Sequence, residues 1–401
     1  MHSAAKPFDG IRILAAEGMQ ALPFATQLLA RMGAEVVKVE RPGSGDSGRS
    51  SEPAMIDPHG RRVGATFLRN NLYKKSIVLD LKQPEGREIF AELAGGFDIV
   101  AENFTPGAMT RMGLGEAALR KRWPALIYLS VSGFGNAPGS PYRTWPAYAP
   151  VAEAMSGIYT WRDTGQAPIV SPLGGVADIG TGMFATVGLL AALRLRDLTG
   201  QGQFVDIAMM DSMLAYTDVV SNFWSMDLHE LPPLLMHACR AADGWFVLQV
   251  GREHQFARLA DILGCPEWLE DARLATRAGW VEHFESIIRP RIERWAGDRT
   301  KLEACASLAE AGIAAGPCLT GAEVVSDQHV AVRRMMTEIP RTDGVEKPVL
   351  MPGNPVKMSG LEDAEMGRVP WLGEHTDEVL SAELSLAAGD LDRLRAAGVI
   401  G

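Results

Sequence analysis

One aspartate stands apart in this 401-residue chain. Asp178 lies in the run Pro172-Leu173-Gly174-Gly175-Val176-Ala177-Asp178-Ile179-Gly180-Thr181-Gly182, and no charged residue follows it until Arg194. A carboxylate in such a segment can act as a covalent nucleophile, and neighbouring backbone N–H groups can hold the oxyanion that its attack creates. Gly174, Gly175, Gly180 and Gly182 would let backbone approach a bulky ligand. An aspartate ahead of an apolar helix is also a preferred N-cap, which accounts for the acid but not for the glycines. In either role the helix N-terminus favours the anion and is expected to keep it ionised at pH 7.

Other polar clusters fall at the ends of short apolar runs. The loop Glu40-Arg41-Pro42-Gly43-Ser44-Gly45-Asp46 follows a β-branched stretch, and an arginine there can meet a phosphate or stack on a purine. Arg69, Lys74 and Lys75, together with Arg41 and Arg111, can make a local anion site on an otherwise acidic protein. Asn103, in Glu102-Asn103-Phe104-Thr105-Pro106-Gly107, is either a turn former or an amide offered to a ligand. The run Gly180 to Ala185 fits G-x-G-x-x-A, but no strand directly precedes it and no acid closes the next strand, as dinucleotide binding requires. The sequence has no G-x-S-x-G elbow, no H-E-x-x-H and no Walker A motif. Between His59 and His229 there is no histidine, so no imidazole base from this region serves Asp178. His375 reads as structural.

The elements that must position these residues alternate in type. Strands are expected at Ile11–Leu14, Glu35–Val39, Ser76–Leu81, Asp98–Ala101, Leu126–Val131 and Gln203–Ala208. Helices are expected at Phe24–Met32, Glu85–Leu93, Glu116–Arg122, Gly180–Leu198 and Asp211–Phe223. Such alternation specifies an α/β fold with a mostly parallel sheet. The texture changes after a linker at Met226–Pro233. A strand at Trp245–Val250 and helices at Phe256–Leu263, Val281–Trp295 and Lys301–Ala311 make a smaller α+β unit. Domains are therefore expected at 1–225, completed by 349–401, and at 226–348. A net charge of −10 excludes a general nucleic-acid binder. The apolar run Met183–Leu193 is about half the length of a membrane span. The four cysteines have no metal or disulfide spacing, and reduced thiols in a cytoplasmic protein are expected.

Several of these segments together resemble the class III CoA-transferases, the family of the formyl-CoA:oxalate and carnitine CoA-transferases. The resemblance is carried by Gly33 to Pro42, Lys74 to Ile77, Glu102 to Phe104, Pro106 to Gly115, Ser130 to Gly135, Ala177 to Gly182, Thr199 to Gln203 and Leu372 to Leu380. It implies a Rossmann-like large domain built from both chain ends, a small domain from the middle, and two interlocked subunits. It implies CoA transfer from an acyl-CoA donor to a carboxylic acid through an aspartyl anhydride and an aspartyl-CoA thioester, with no cofactor beyond coenzyme A itself. Asp178 matches the catalytic aspartate and Gln20 a glutamine at the acyl site. Arg41, Lys75, Asn103, Phe104, Arg111 and Met112 match the CoA site. Leu231–Ala242 is shorter than the family's segment at this point and lacks its glycines, Leu22 replaces a glycine, and Ala149 an aspartate. The α-methylacyl-CoA racemases share the fold and use a His/Asp pair. Their histidine would fall at Tyr148, a poor base near neutral pH.

Overall fold

The computed structural model describes residues 6–160, 167–170, 175–227, 233–361 and 367–401. They form two compact units, Met1–Phe223 with Arg333–Gly401, and Trp224–Val332.

The first unit contains strands β1 (Arg12–Ala16), β2 (Glu35–Glu40), β3 (Ala54–Ile56), β4 (Arg62–Gly64), β5 (Lys74–Val78), β6 (Ile99–Glu102), β7 (Ile127–Ser132) and β8 (Phe204–Ala208). Its helices are α1 (Ala21–Arg31), α2 (Ala65–Asn70), α3 (Pro84–Leu93), α4 (Ala108–Arg111), α5 (Glu116–Arg122), α6 (Ala149–Met155), α7 (Val176–Thr199) and α8 (Met209–Tyr216). Six strands pair in parallel in the order β5-β2-β1-β6-β7-β8, and β3 and β4 form a separate hairpin. The β-branched sequences EVVKVE and IYLSVS suit strands covered on both sides. Alternate side chains point to opposite faces. Leu14, Val37, Ile77, Val100 and Tyr128 join α3 and the C-terminal helices Thr376–Leu384 and Ala388–Ala396 in one core. Ile13, Val36, Ile99, Ile127 and Leu129 pack under α1 and α7 in another.

The order in which strands are added reverses between β1 and β6, and a ligand crevice opens at such a switch point, beyond the carboxyl ends of the strands. Helix α7 crosses α1 closely enough that a Cβ on Gly182 would lie 2.7 Å from the Ala21 carbonyl oxygen. Gly180 faces the Tyr216 ring in the same way. These two glycines therefore admit neighbouring elements, not a ligand, and the G-x-G-x-x-A run lies wholly inside α7. Gly174 lies outside the described residues.

In the second unit β9 (Leu235–Ala241), β10 (Gly244–Val250) and β11 (Ala314–Pro317) form an antiparallel sheet against a core including Phe256, Trp268, Trp280 and Phe284. The described part of the segment read as a shortened loop, Leu231–Ala242, is largely strand β9, joined to β10 by a tight turn. The helix expected over Val281–Trp295 is interrupted: helical turns at Arg277–Glu282 and Arg289–Ala296 flank a wider π-helical turn at Phe284–Ile288, just before Pro290. The chain rejoins the first unit at Arg333, earlier than the expected 349. Strands β12 (Met336–Ile339) and β13 (Val349–Pro352) pair there, and Ile339 and Met351 pack with Met55, Val63 and Phe67. Cys239, Cys265, Cys305 and Cys318 are all free thiols.

Candidate active site

Residues following the carboxyl ends of the strands line a cavity of about 430 Å³. Gly18, Met19 and Gln20 come from the loop after β1, Arg41 and Asp46 from the loop after β2, and Asn103 to Pro106 from the turn after β6. Gly133 follows β7, Trp145 and Tyr148 precede α6, and Asp178 projects from α7.

Beneath this lining lies a buried ionic cluster. Lys74 pairs with Glu17 at 2.6 Å, Lys38 with Asp46 at 2.8 Å, and Arg49 with Glu40 at 2.6 Å, all with side chains essentially removed from solvent. Ser76 donates to Glu40, and Asp46 accepts from the Met19 and Gly48 amides. Burial brings the Lys74 ammonium down to about 8 despite Glu17. These matched charges tie β1, β2 and β5 together under the cavity. Lys74 is thus a structural cation, with no role left in binding an external anion.

Asp178 is the third residue of α7, whose N-cap is Gly175, so it is not the cap. The Ala177 amide in that first turn donates instead to Glu153 on α6, at 3.1 Å, and is not open to an oxyanion. Asp178 folds back over Gly175: a Cβ there would stand 2.4 Å from Oδ2. Its hydrogen-bond donor is Gln20, whose Nε2 lies 3.3 Å from Oδ2. Burial, with Glu153 adding to it, raises the carboxyl from its ordinary 3.8 to about 6, against the lowering effects of Gln20 and Arg69. The carboxyl still ionises below neutral pH, but burial outweighs the expected help from the helix terminus.

The other sequence candidates separate. Arg41 anchors its Nε on the Gly45 carbonyl at 2.9 Å, and among the described residues no carboxylate pairs with its guanidinium. Phe104 lines the cavity with its ring partly exposed. Asn103 also lines it, but both ends of its amide are committed to Gly18: Nδ2 donates to the Gly18 carbonyl and Oδ1 accepts from the Gly18 amide, at 2.8 and 2.9 Å. It fixes the turn that carries Gln20. Lys75 does not line the cavity. It is the second residue of β5, near the amino end of the sheet, and pairs with Glu35 and Glu378 at 3.1 and 2.9 Å. Arg111 folds back toward Gly107 on the exposed end of α4, and Met112 packs against the core, so neither lines the cavity.

Glu153 escaped the sequence reading: distant in the chain and on a different helix, it sets the N-terminus of α7. Arg69, read with the lysines as part of a local anion site, instead donates from Nη1 to Gln20 Oε1 at 3.3 Å. The place of the racemase histidine holds Tyr148, two-thirds exposed on the cavity wall.

Comparison with known proteins agrees with this geometry. A family model described as CoA-transferase family III matches residues 8–376. The chain is 33% identical to succinyl-CoA:glutarate CoA-transferase of Mus musculus, over 98% of this chain and 90% of that protein. It is 32% identical to formyl-CoA:oxalate CoA-transferase of Rhodopseudomonas palustris, over 98% and 97%. The crystal structure of a CAIB/BAIF family protein from Brucella suis superposes with a TM-score of 0.81 and 29% identity, covering 94% of this chain and 100% of that one. The CoA-transferase names of the relatives do not favour the racemase alternative. The chain belongs to CoA-transferase family III and is a CoA-transferase.

Proposed function

We propose that the protein moves CoA from an acyl-CoA to a free carboxylic acid, with Asp178 as covalent nucleophile. The observation that carries this reading is the Asp178 carboxylate, partly buried at the switch-point cavity and bonded to an amide donor. Asp178 attacks the thioester carbonyl, the C–S bond breaks, and a mixed anhydride and CoA thiolate result. The thiolate attacks the aspartyl carbonyl of the anhydride, releasing the first acid as its carboxylate and leaving an aspartyl-CoA thioester. A second carboxylate attacks that thioester and expels the thiolate, and the thiolate attacks the new acyl carbonyl to return Asp178. Every nucleophile and leaving group in this cycle is an anion, so the steps balance without a general base. Coenzyme A is a substrate, and no other cofactor takes part.

Gln20 Nε2, already facing Asp178, is placed to donate to the carbonyl oxygen that gains charge. Arg41 receives a phosphate of CoA and Phe104 packs on its apolar part. Homodimerisation is supported by Val176, Met183, Val187, Leu190 and Leu198, exposed at spacings that place them on one side of α7, with Arg194 among them. A second copy of the chain covers this face. By length and composition α7 could cross a membrane, but its other face packs on α1 and the sheet.

The test is incubation with succinyl-CoA and a panel of carboxylic acids, reading new thioesters by mass, followed by hydroxylamine trapping. New acyl-CoA and a hydroxamate on the Asp178 peptide are expected. An adduct on another carboxylate would refute the assignment.

A further inference from the structure

We propose that Arg69 is a positioning residue of the transfer reaction: it fixes the Gln20 amide so that its N–H end faces Asp178. The inference rests on the transferase reading above.

The first part follows from donor and acceptor chemistry. Helix α2 ends beside α1, and the Arg69 carbonyl accepts from Gln27 Nε2 at 2.9 Å, which ties its backbone to that helix. From there Nη1 donates to Gln20 Oε1, while Gln20 Nε2 donates to Asp178 Oδ2, both at 3.3 Å. A side-chain amide can turn over and exchange its oxygen and nitrogen. A guanidinium carries only donors, so it can pair only with the amide oxygen, which accepts. Arg69 therefore keeps the N–H end of Gln20 turned toward the reacting carboxylate. In the reversed orientation two oxygens would oppose each other at Asp178, and the amide could not donate to a developing oxyanion.

The second part follows from charge. Among the described residues no acid forms an ion pair with Arg69, whereas Arg49 is held by Glu40 and Arg61 by Asp57, so no carboxylate draws its guanidinium away from Gln20. Glu153 of α6 is the other ionic group bearing on Asp178, and its carboxylate is engaged by the Ala177 amide and the Tyr159 hydroxyl. Arg69 and Glu153 act on Asp178 with opposite sign.

The test measures exchange of labelled succinate into succinyl-CoA for wild type, Arg69→Gln, Arg69→Lys, Gln20→Ala and the Gln20→Ala/Arg69→Gln double variant. Free-CoA affinity and melting temperature are measured alongside. For Arg69→Gln we expect kcat to fall tenfold or more, as for loss of a charged hydrogen bond, with CoA Kd within twofold of wild type. The acidic limb of its rate profile moves upward in pH, because Glu153 then acts on Asp178 without an opposing cation. Arg69→Lys, whose ammonium is also donor-only, keeps the limb and most of kcat. Arg69→Gln costs less kcat on the Gln20→Ala background than alone. Wild-type kcat and an unmoved limb in folded Arg69→Gln would overturn the proposal. If Arg69→Gln does not fold, wild-type kcat in folded Gln20→Ala would do so. A wild type that transfers CoA to no acid overturns the transferase reading and this inference together, an outcome separate from any ratio of variant to wild type.

Discussion

Replacing Asp178 with asparagine should make the protein more stable and almost inactive. The side chain keeps its size, and its oxygen can still accept from Gln20 Nε2. What is lost is a charge in a place that disfavours it. The carboxyl ionises at about 6 in the fold against 3.8 in the open chain. An acid raised in this way costs the fold nothing below pH 3.8. The cost grows between 3.8 and 6 and is constant above that. The interval corresponds to about 3 kcal/mol, which partial exposure of the group reduces to about 2 kcal/mol. Asp178→Asn should recover about that much at pH 7 and almost none at pH 4, a rise in melting temperature of a few degrees at the higher pH only. Turnover should fall by on the order of 10³-fold or more, equivalent to about 4 kcal/mol of barrier, because an amide does not attack the thioester. Wild-type turnover should itself fall as pH drops through 6. Paired thermal melts at pH 4 and pH 7, with acyl exchange measured on the same samples, check each part. A variant that is less stable at pH 7 and still turns over would refute the reasoning and return Asp178 to a structural role.

Arg41→Ala should weaken CoA binding by about tenfold, the loss of a charged contact, whereas Lys75→Ala should leave it unchanged because that lysine pairs with Glu35 and Glu378; calorimetry on both separates them. Gly175→Ala has an allowed φ of −71°, but its methyl meets both the Asp178 carboxylate and, at 2.8 Å, the Ala149 Cβ, so it should lower the melting temperature and lose on the order of 10²-fold in turnover; melting temperature and exchange rate measure the two effects. Light scattering from nanomolar to micromolar concentration should give twice the 43.3 kDa chain mass, and a monomer at any non-denaturing concentration would count against the dimer.

The sheet was legible because its strands carry β-branched runs separated by helical periods, and the observed strands fall on or within a residue or two of those runs, except β5, which starts two residues and ends three residues earlier than expected. The strand order is a matter of pairing, which the one-dimensional pattern does not contain. Asp178 was visible by isolation: an acid among glycines and apolar residues is conspicuous in a sequence. Of its surroundings only Gln20 was named, from the family resemblance; Arg69, which bonds Gln20, and Glu153, which holds the Ala177 amide, come from two further helices. Lys75 shows the opposite failure. Adjacent lysines look equivalent in the sequence, but the strand sends Lys74 into the buried cluster and Lys75 outward to the edge. The glycines near Asp178 were read together as room for a ligand. Three-dimensional neighbours divide them: Gly175 makes space for the carboxylate, Gly180 for a tyrosine, and Gly182 for a crossing helix. The hairpin β9–β10 went partly unseen because His237 stands on the inward side of β9 and the apolar Met236 and Ala238 on its exposed side, which blurs the alternation.

Helix α7 runs unbroken for 24 residues, about 36 Å, with the Asp178 carboxylate in its first turn and an exposed apolar side along its length. In the proposed dimer and mechanism, chemistry and association would share one stiff rod. Pressure of a second subunit on Val187 or Leu198 would then pass without an intervening hinge to the end that holds Asp178. Sequence change on that flank would be felt as a change in catalytic alignment, and drift there would be constrained by the accuracy required at the rod's other end.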